Sequence, residues 1–360
     1  MRHRLRVVGI DFAHPHVMTL LRQVLGNPHA ELVGIADANL EILQAAQRSF
    51  GLAEENLFTD YRRLLEERRP DIAIVCAANV NKAEYVEAIA ARKVHLLVEK
   101  PMAARLHDAD RMMAAADENG VRMMINWPMA WYPQIVTAHR LVSEGAIGEL
   151  LQVHYRNGNR GPLYHKCAPA DPQPSRDQVE RYWMWRRDSG GGALLDYCCY
   201  GATLATWFHG KSPGRVTAMA AHVRGFEVED NVVIVAQYDK GLSILEATWT
   251  ALTNPWLQQP EPPHGFVFLG EHGSLTAYDG PGPMKLCTPE HPEGKWLEPD
   301  PLPEGRRNGV EYFVDCVRLD RPVEAPLSPA IGRAGQKILE AAILSIEQGR
   351  TISLPLLGAA

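Results

Sequence analysis

The stretch with the most suggestive chemistry is Val94 to Ala103, which reads VHLLVEKPMA. Four of the five residues from Val94 to Val98 are apolar, predicting a short parallel strand buried on both faces. Glu99 and Lys100 follow where that strand leaves the core. A residue before proline is pushed towards extended conformations, which places Lys100 at the strand mouth, with Pro101 suited to open the next helix. Ligands of open α/β sheets sit outside the carboxyl ends of the strands, where an amine can move a proton or meet a developing alkoxide. The plain alternative is a solvated Glu-Lys pair in an ordinary strand-to-helix turn.

A second group lies downstream of the triple glycine Gly190 to Gly192. Asp196 and Tyr200 are four apart and share a face on the predicted helix of about Ala193 to His209, so both can address one ligand. They can equally be a hydrogen-bonded pair inside a domain. A third group is near the start. Asp37 ends the second predicted strand, where a carboxylate can hydrogen-bond an adenosine ribose and disfavour a 2′-phosphate; it can also cap the helix that follows. The first turn keeps only Gly9 of a GxGxxG pattern, continuing with Ile10, Asp11, Phe12, Ala13 and His14. Phosphate there has to meet backbone N–H groups and the helix N-terminus, with the Asp11 carboxylate turned aside. His14-Pro15-His16 lacks metal-ligand spacing, and no metal is expected.

The elements that must position these groups alternate. Strands at Leu5 to Ile10, Glu31 to Asp37, Asp71 to Cys76, Val94 to Val98 and Val121 to Asn126 are separated by helical stretches, including Leu40 to Phe50, Lys82 to Ala91 and Ala104 to Asn119. This pattern predicts about six strands in a doubly wound parallel sheet over residues 1–126. Gly120 is placed to end the last helix. Beyond Asn126 the alternation stops. Trp131 to Glu144 looks helical, Leu150 to Tyr155 strand-like, and Gly158 to Asp177 an irregular proline-rich loop. Strands from Arg215 to Tyr278 suggest an open, mostly antiparallel sheet. A proline-rich connection from Gly280 to Pro303 and helices at Gly309 to Leu319 and Pro329 to Gln348 complete a second domain over 127–360.

Composition bounds the reading further. The chain has 360 residues, too many for one compact core, with 46% hydrophobic and 22% charged residues. A formal net charge of −6 gives no basic surface for nucleic acid or an anionic membrane. Six cysteines without CxxC spacing read as reduced thiols, and no leader or 18-residue apolar run is visible, so a cytoplasmic protein is expected.

Taken in order, ELVGIAD, PDIAIVCAANVNKAEYVEAIAARKVHLLVEKP, SEGAIGEL, GGGALLD and ILEAAILSIEQGRTISL resemble the Gfo/Idh/MocA oxidoreductase family nearly end to end. The resemblance implies an N-terminal Rossmann domain and a C-terminal α/β domain carrying a large open sheet. The implied activity is NAD(P)-dependent hydride transfer to or from a sugar or polyol, with NAD favoured over NADP by Asp37. Lys100 matches the lysine of the EKP motif, and Asp196 and Tyr200 match further catalytic positions. Gly9, Asp11, Phe12, Asp37, Asn79, Glu99, Lys100, Asn126, Trp185 and Arg186 fall on segments that line the cofactor in relatives. Ala78 and Lys82 depart from the usual proline and histidine of the fourth-strand loop, and Ala130 stands where arginine is common. Relatives pair their open sheets, so a homodimer or homotetramer with a small carbohydrate substrate is expected. Two alternatives remain: a glycoside-cleaving enzyme that retains NAD and oxidises transiently, and a nucleotide-sensing binding protein.

Overall fold

The computed structural model describes residues 4–164, 173–252, 263–280 and 282–356. Two compact units emerge, one from Met1–Pro128 with Pro303–Ala330, the other from Met129–Leu302 with Ile331–Ala360. The first unit thus takes up a second segment, Pro303–Ala330, whereas the sequence places 1–126 and 127–360 in separate domains.

The first unit alternates β1 (Leu5–Ile10), α1 (His16–Leu25), β2 (Ala30–Ala36), α2 (Leu40–Phe50), β3 (Leu57–Phe58), α3 (Tyr61–Arg68), β4 (Ile72–Val75), α4 (Lys82–Ala90), β5 (His95–Glu99), α5 (Leu106–Asn119) and β6 (Met123–Asn126). The six strands are parallel in the order β3-β2-β1-β4-β5-β6. Every residue of β4 is buried, as a strand covered on both faces requires. Val8, Ile10, Val75, Leu96 and Val98 join Val86, Ile89 and Met112 of the helices in one core. Asn39 and Asp60 cap α2 and α3 by accepting the N–H groups of Glu41 and Arg62, and Gly120 ends α5 at φ 62°, as expected. Asp37 instead accepts the Asn39 N–H at 2.7 Å, one step before the cap. The order reverses between β1 and β4, where ligands of such sheets bind.

One helix start differs from expectation. Pro101 does not open α5; the Lys100–Pro101 bond is cis, Met102 to Arg105 are irregular, and the helix begins at Leu106.

The second unit runs through α6 (Pro133–Ser143), β7 (Leu150–Gly158), α7 (Arg176–Arg181), a π-helical turn at Leu194–Cys198, α8 (Cys199–His209), β8 (Arg215–Ala221), β9 (Asn231–Gln237), β10 (Leu242–Thr248), β11 (Gly265–Gly270), β12 (Gly273–Tyr278), β13 (Met284–Thr288) and β14 (His291–Leu297). Next, α9 (Gly309–Arg318) returns to the first unit, and α10 (Pro329–Gln348) and β15 (Ile352–Ser353) follow. Among the described residues the sheet has nine strands, in the order β14-β13-β12-β11-β7-β10-β9-β8-β15, and only the β7–β10 pairing is parallel. Alternating burial along β9 and β10 marks a sheet with one packed face.

The expected connection from Gly280 to Pro303 contains the β13–β14 ribbon, whose largely exposed β14 carries no apolar alternation to reveal it. Part of the expected loop Gly158 to Asp177, residues 165–172, lies outside the described residues, as does Cys167. The other five cysteines are free thiols, four of them buried. Among the described residues no helix is long and apolar enough to cross a membrane.

Candidate active site

The chemistry of the first unit gathers at the carboxyl ends of β1, β4 and β5. Lys100 stands immediately beyond β5 and is 3% exposed; its neighbour Glu99 is fully buried. A buried carboxylate needs partners, and Glu99 has one for each oxygen: His16 Nδ1 lies 3.0 Å from Oε1, and Asn126 Nδ2 donates to Oε2 at 2.7 Å. A carboxylate only accepts, so the His16 proton sits on Nδ1. Burial pushes the Glu99 pKa up, but the His16 charge and hydrogen bond, the Lys100 charge and the Asn126 amide together bring it below the ordinary glutamate value.

Beneath this turn lies Lys82, the first residue of α4 and fully buried. Its ammonium donates to the carbonyls of Glu99 and Pro101, at 2.7 Å each. In the sequence this lysine stands out only as a departure from the family's usual histidine. The overlooked signal is that Lys82 shares the buried face of α4 with Ala83, Val86 and Ile89, where a cation must have acceptors.

The loop between β1 and α1 explains the missing glycines. Asp11 holds φ 60°, the left-handed conformation that a glycine supplies in a GxG turn, and its carboxylate accepts the Ala13 N–H at 2.9 Å. Aspartate is among the few other residues to enter this region, because its short side chain bonds locally. Gly9 retains a packing role: a Cβ there would lie 3.0 Å from two methyl carbons of Leu21, so β1 and α1 approach closely.

The N–H groups expected to receive phosphate are hydrogen-bonded within the protein. Phe12 donates to Asp37, His14 to the Cys76 carbonyl, His16 to His14 Nδ1, and Val17 and Met18 to the carbonyls of His14 and Pro15. The last three bonds are long, at 3.2 Å each.

His14, His16 and Glu99 bring one ligand-type atom each within 4.8 Å of the others. These atoms are engaged with one another and with the backbone. His16 Nδ1 gives its proton to Glu99, and His14 Nδ1 accepts an N–H. Burial, followed by the charges of His16, Lys100 and Lys82, pushes the His14 pKa far down and keeps that ring neutral.

An adenine dinucleotide fits the residues at β2. Each Asp37 oxygen accepts a single hydrogen bond, from Phe12 N–H at 2.8 Å and from Asn39 N–H at 2.7 Å. A carboxylate oxygen has two acceptor sites, so lone pairs remain for ribose hydroxyls. Asn79 and Asn126 are buried at the ends of β4 and β6, on the same sheet edge.

In the second unit Asp196 sits in the π-helical turn and Tyr200 in the first turn of α8, both half-buried. The Asp196 carboxylate accepts the indole N–H of Trp249 at 3.1 Å. Trp185 packs against Trp249 and Phe226, is 1% exposed, and donates its N–H to the Pro162 carbonyl. Arg186 is turned to an ion pair with Asp188. Gly192, at φ 110°, packs so tightly on Glu229 that a side chain would collide with its carboxylate. Burial pushes that carboxyl's pKa up, while it accepts the Leu194 N–H at 3.0 Å.

A six-stranded parallel sheet with an acid closing β2 and a buried lysine at the mouth of β5 defines the class of dinucleotide-dependent Rossmann oxidoreductases. Residues 4–127 match the oxidoreductase family with an NAD-binding Rossmann fold, and residues 135–276 match the GFO/IDH/MocA C-terminal domain. The chain belongs to the Gfo/Idh/MocA family and is an NAD(P)-dependent oxidoreductase acting on CH–OH groups. It is 26% identical over 305 residues to dTDP-3,4-didehydro-2,6-dideoxy-alpha-D-glucose 3-reductase of Streptomyces violaceoruber, covering 83% of this chain and 81% of that one. The crystal structure of aldose-aldose oxidoreductase from Caulobacter crescentus complexed with glycerol superposes with a TM-score of 0.78 at 21% identity, covering 98% and 100% of the two chains. An oxidoreductase from Agrobacterium radiobacter in complex with NAD+, L-tartaric acid and magnesium does so at 0.77 and 18%, covering 97% and 98%. The two structural likenesses establish the fold.

Proposed function

We propose that the protein oxidises a secondary hydroxyl of a sugar or polyol, or reduces the matching carbonyl, with Lys100 as the group that moves the hydroxyl proton. The observation carrying this reading is the buried Lys100 at the mouth of β5, beside a Glu99 locked between His16 and Asn126. Asp37 is the proposed ribose ligand, which favours NAD over NADP because a carboxylate repels a 2′-phosphate. The bound nicotinamide supplies the redox step, accepting or giving the hydride.

The chain's own residues supply the rest. An alcohol oxidised by hydride loss must also lose its hydroxyl proton, and the Lys100 amine accepts it; in the reverse direction the ammonium returns it to the alkoxide. Glu99, held at both oxygens, cannot swing away from the lysine it precedes. From the family resemblance, Tyr200 is proposed as a further proton-handling group and Asp196 as the group that orients a second hydroxyl. Gly9, Asp11 and Phe12 form the turn proposed to face the pyrophosphate, and Asn79 and Asn126 the edge proposed to face the nicotinamide half. Trp185 and Arg186 have other partners within the second unit and are proposed to act only by shaping it.

A relative that acts on a nucleotide-linked deoxysugar and a structural neighbour named for aldoses support the carbohydrate reading. The test is a thermal-shift series with NAD+ and NADP+, followed by a panel of aldoses and polyols scored by accumulation of reduced nicotinamide. Stabilisation by NAD+ and net reduction with at least one sugar are expected. Turnover of a glycoside without net reduction would select the redox-neutral alternative, and no stabilisation by either nucleotide would remove the reading.

A homodimer formed through the open sheet is also proposed. Met219 and Val233 are directly paired on β8 and β9 and are 80% and 42% exposed, an apolar spot that a second copy would cover. Light scattering on the eluting protein reads the state directly, and a monomer at micromolar concentration would refute it.

A further inference from the structure

Lys82 has no role in the reaction as written above, yet of the described lysines it is the most completely buried. Burying an ammonium is costly unless its donors are satisfied. Lys82 directs its charge at two carbonyls, those of residues 99 and 101, which flank Lys100 on either side. An apolar residue on this face of α4 would serve packing equally well. A cation here does two things that an apolar side chain cannot.

We propose that Lys82 is a positioning residue for Lys100: it pins the backbone on both sides of the reactive lysine and so fixes where that amine is presented. This inference rests on Lys100 being the proton-moving group. The pin matters because the turn after β5 has no regular structure of its own until α5 begins at Leu106. Without the two Lys82 hydrogen bonds, the carbonyls of Glu99 and Pro101 lose the partner that orients them. A displacement of about 1 Å at a reacting group is enough to cost roughly 100-fold in rate.

The second effect is electrostatic. A fixed positive charge nearby disfavours a second one, so Lys82 biases Lys100 towards the neutral amine that accepts a proton. The same charge acts on other members of the site, favouring the ionised forms of Asp11 and Cys76 and the neutral form of His14. The ionisable groups around this turn are Asp11 and His14 from the β1–α1 loop, His16 from α1, Cys76 from the end of β4, Tyr85 from α4, and Glu99 and Lys100 from β5 and its mouth. Glu99 opposes the bias, and its charge is held by His16 and Asn126.

The test compares Lys82→Met, Lys82→Gln and Lys82→Arg in the full chain. The readouts are NAD+ affinity from intrinsic fluorescence and the pH profile of kcat on the sugar found by the panel above. Lys82→Met removes both pin and charge. It is expected to lower kcat about 10- to 100-fold, leave the NAD+ dissociation constant within about threefold, and move the acid limb of the profile upward. Lys82→Gln, which keeps a donor and loses the charge, serves if the methionine variant does not fold; it should show the same upward limb with a smaller loss of kcat. Lys82→Arg should return the limb to its original position.

Removal of the charge without movement of the limb would overturn the electrostatic half and leave Lys82 only the backbone pin. Unchanged kcat in folded Lys82→Met or Lys82→Gln would overturn the proposal as a whole. If Lys100→Ala proves fully active, the functional reading fails first, and the two failures are distinct.

Discussion

Replacing Glu99 by glutamine tests the site through stability, independently of any substrate. The side chain keeps its volume and can still accept from Asn126, so the loss falls on the charged link to His16. Hydrogen bonds to charged groups contribute about 1.5–3 kcal/mol, and the half-exposed His16 side chain argues for the low end, about 2 kcal/mol. Unfolding midpoints of units this size move about 2–4 °C per kcal/mol, so Glu99→Gln should melt about 4–8 °C lower near neutral pH. The sign with pH follows from the lowered pKa of Glu99. Stability from such a group is fully present above the ordinary glutamate value and disappears as pH falls through the folded-state value. The gap between wild type and variant should therefore be present just above the ordinary glutamate value of about 4.3 and narrow as pH falls below it. Thermal melts followed by circular dichroism across that range provide the measurement, and a cycle with His16→Ala should give a coupling of about 1–2 kcal/mol. A gap that stays constant down to pH 3, or a coupling of zero, would show that the buried carboxylate does not depend on His16 as described.

Three further outcomes follow from the same geometry. Lys100→Ala should reduce sugar oxidation about 10²- to 10⁴-fold while NAD+ still stabilises the protein, and full turnover would refute its proton role. Asp37→Ala should weaken NAD+ more than NADP+, narrowing the preference in a fluorescence titration; equal weakening of both would mean that Asp37 only braces Phe12 and Asn39. Gly34→Ala introduces a Cβ 2.5 Å from Leu64 Cδ1 and 3.3 Å from the Asn56 carbonyl, and overpacking of this kind costs about 1–3 kcal/mol, readable by urea denaturation.

Much of the first unit was legible because parallel strands buried on both faces show as uninterrupted apolar runs. VHLLV and IAIV need no neighbours to be recognised, and a Lys-Pro step after such a run placed Lys100 at its mouth. The clamp from Lys82 was not legible in the same way, since its acceptors are backbone carbonyls 17 and 19 residues away. Nor was the conformation of Asp11, because a pattern search for glycine sees the residue and not the φ it must adopt. In the second unit the alternating strands were visible, whereas the β13–β14 ribbon was hidden by Pro289, Pro292 and Gly294 and by a face that buries little. The π-helical turn under Asp196 has no local sequence signature; it differs from an α-helix by the width of one turn.

The segment Pro303–Ala330 has a consequence for how this protein is made and how it can be recombined. The Ile125 N–H of the outermost strand β6 finds its acceptor in the Leu327 carbonyl, and Arg122 reaches the Arg321 carbonyl and Asp320. α9, with Val310, Phe313 and Val314 buried, lies against α1, where the Val310 N–H donates to the Gln23 side-chain oxygen. A ribosome that has released only the first 128 residues has therefore produced a sheet whose last edge is still open to any passing strand. Closing that edge must wait until synthesis has passed Leu327. For the same reason, grafting a new second unit onto this first unit means replacing an internal insert at two junctions, because a single cut after Pro128 would leave the closing strap on the wrong side.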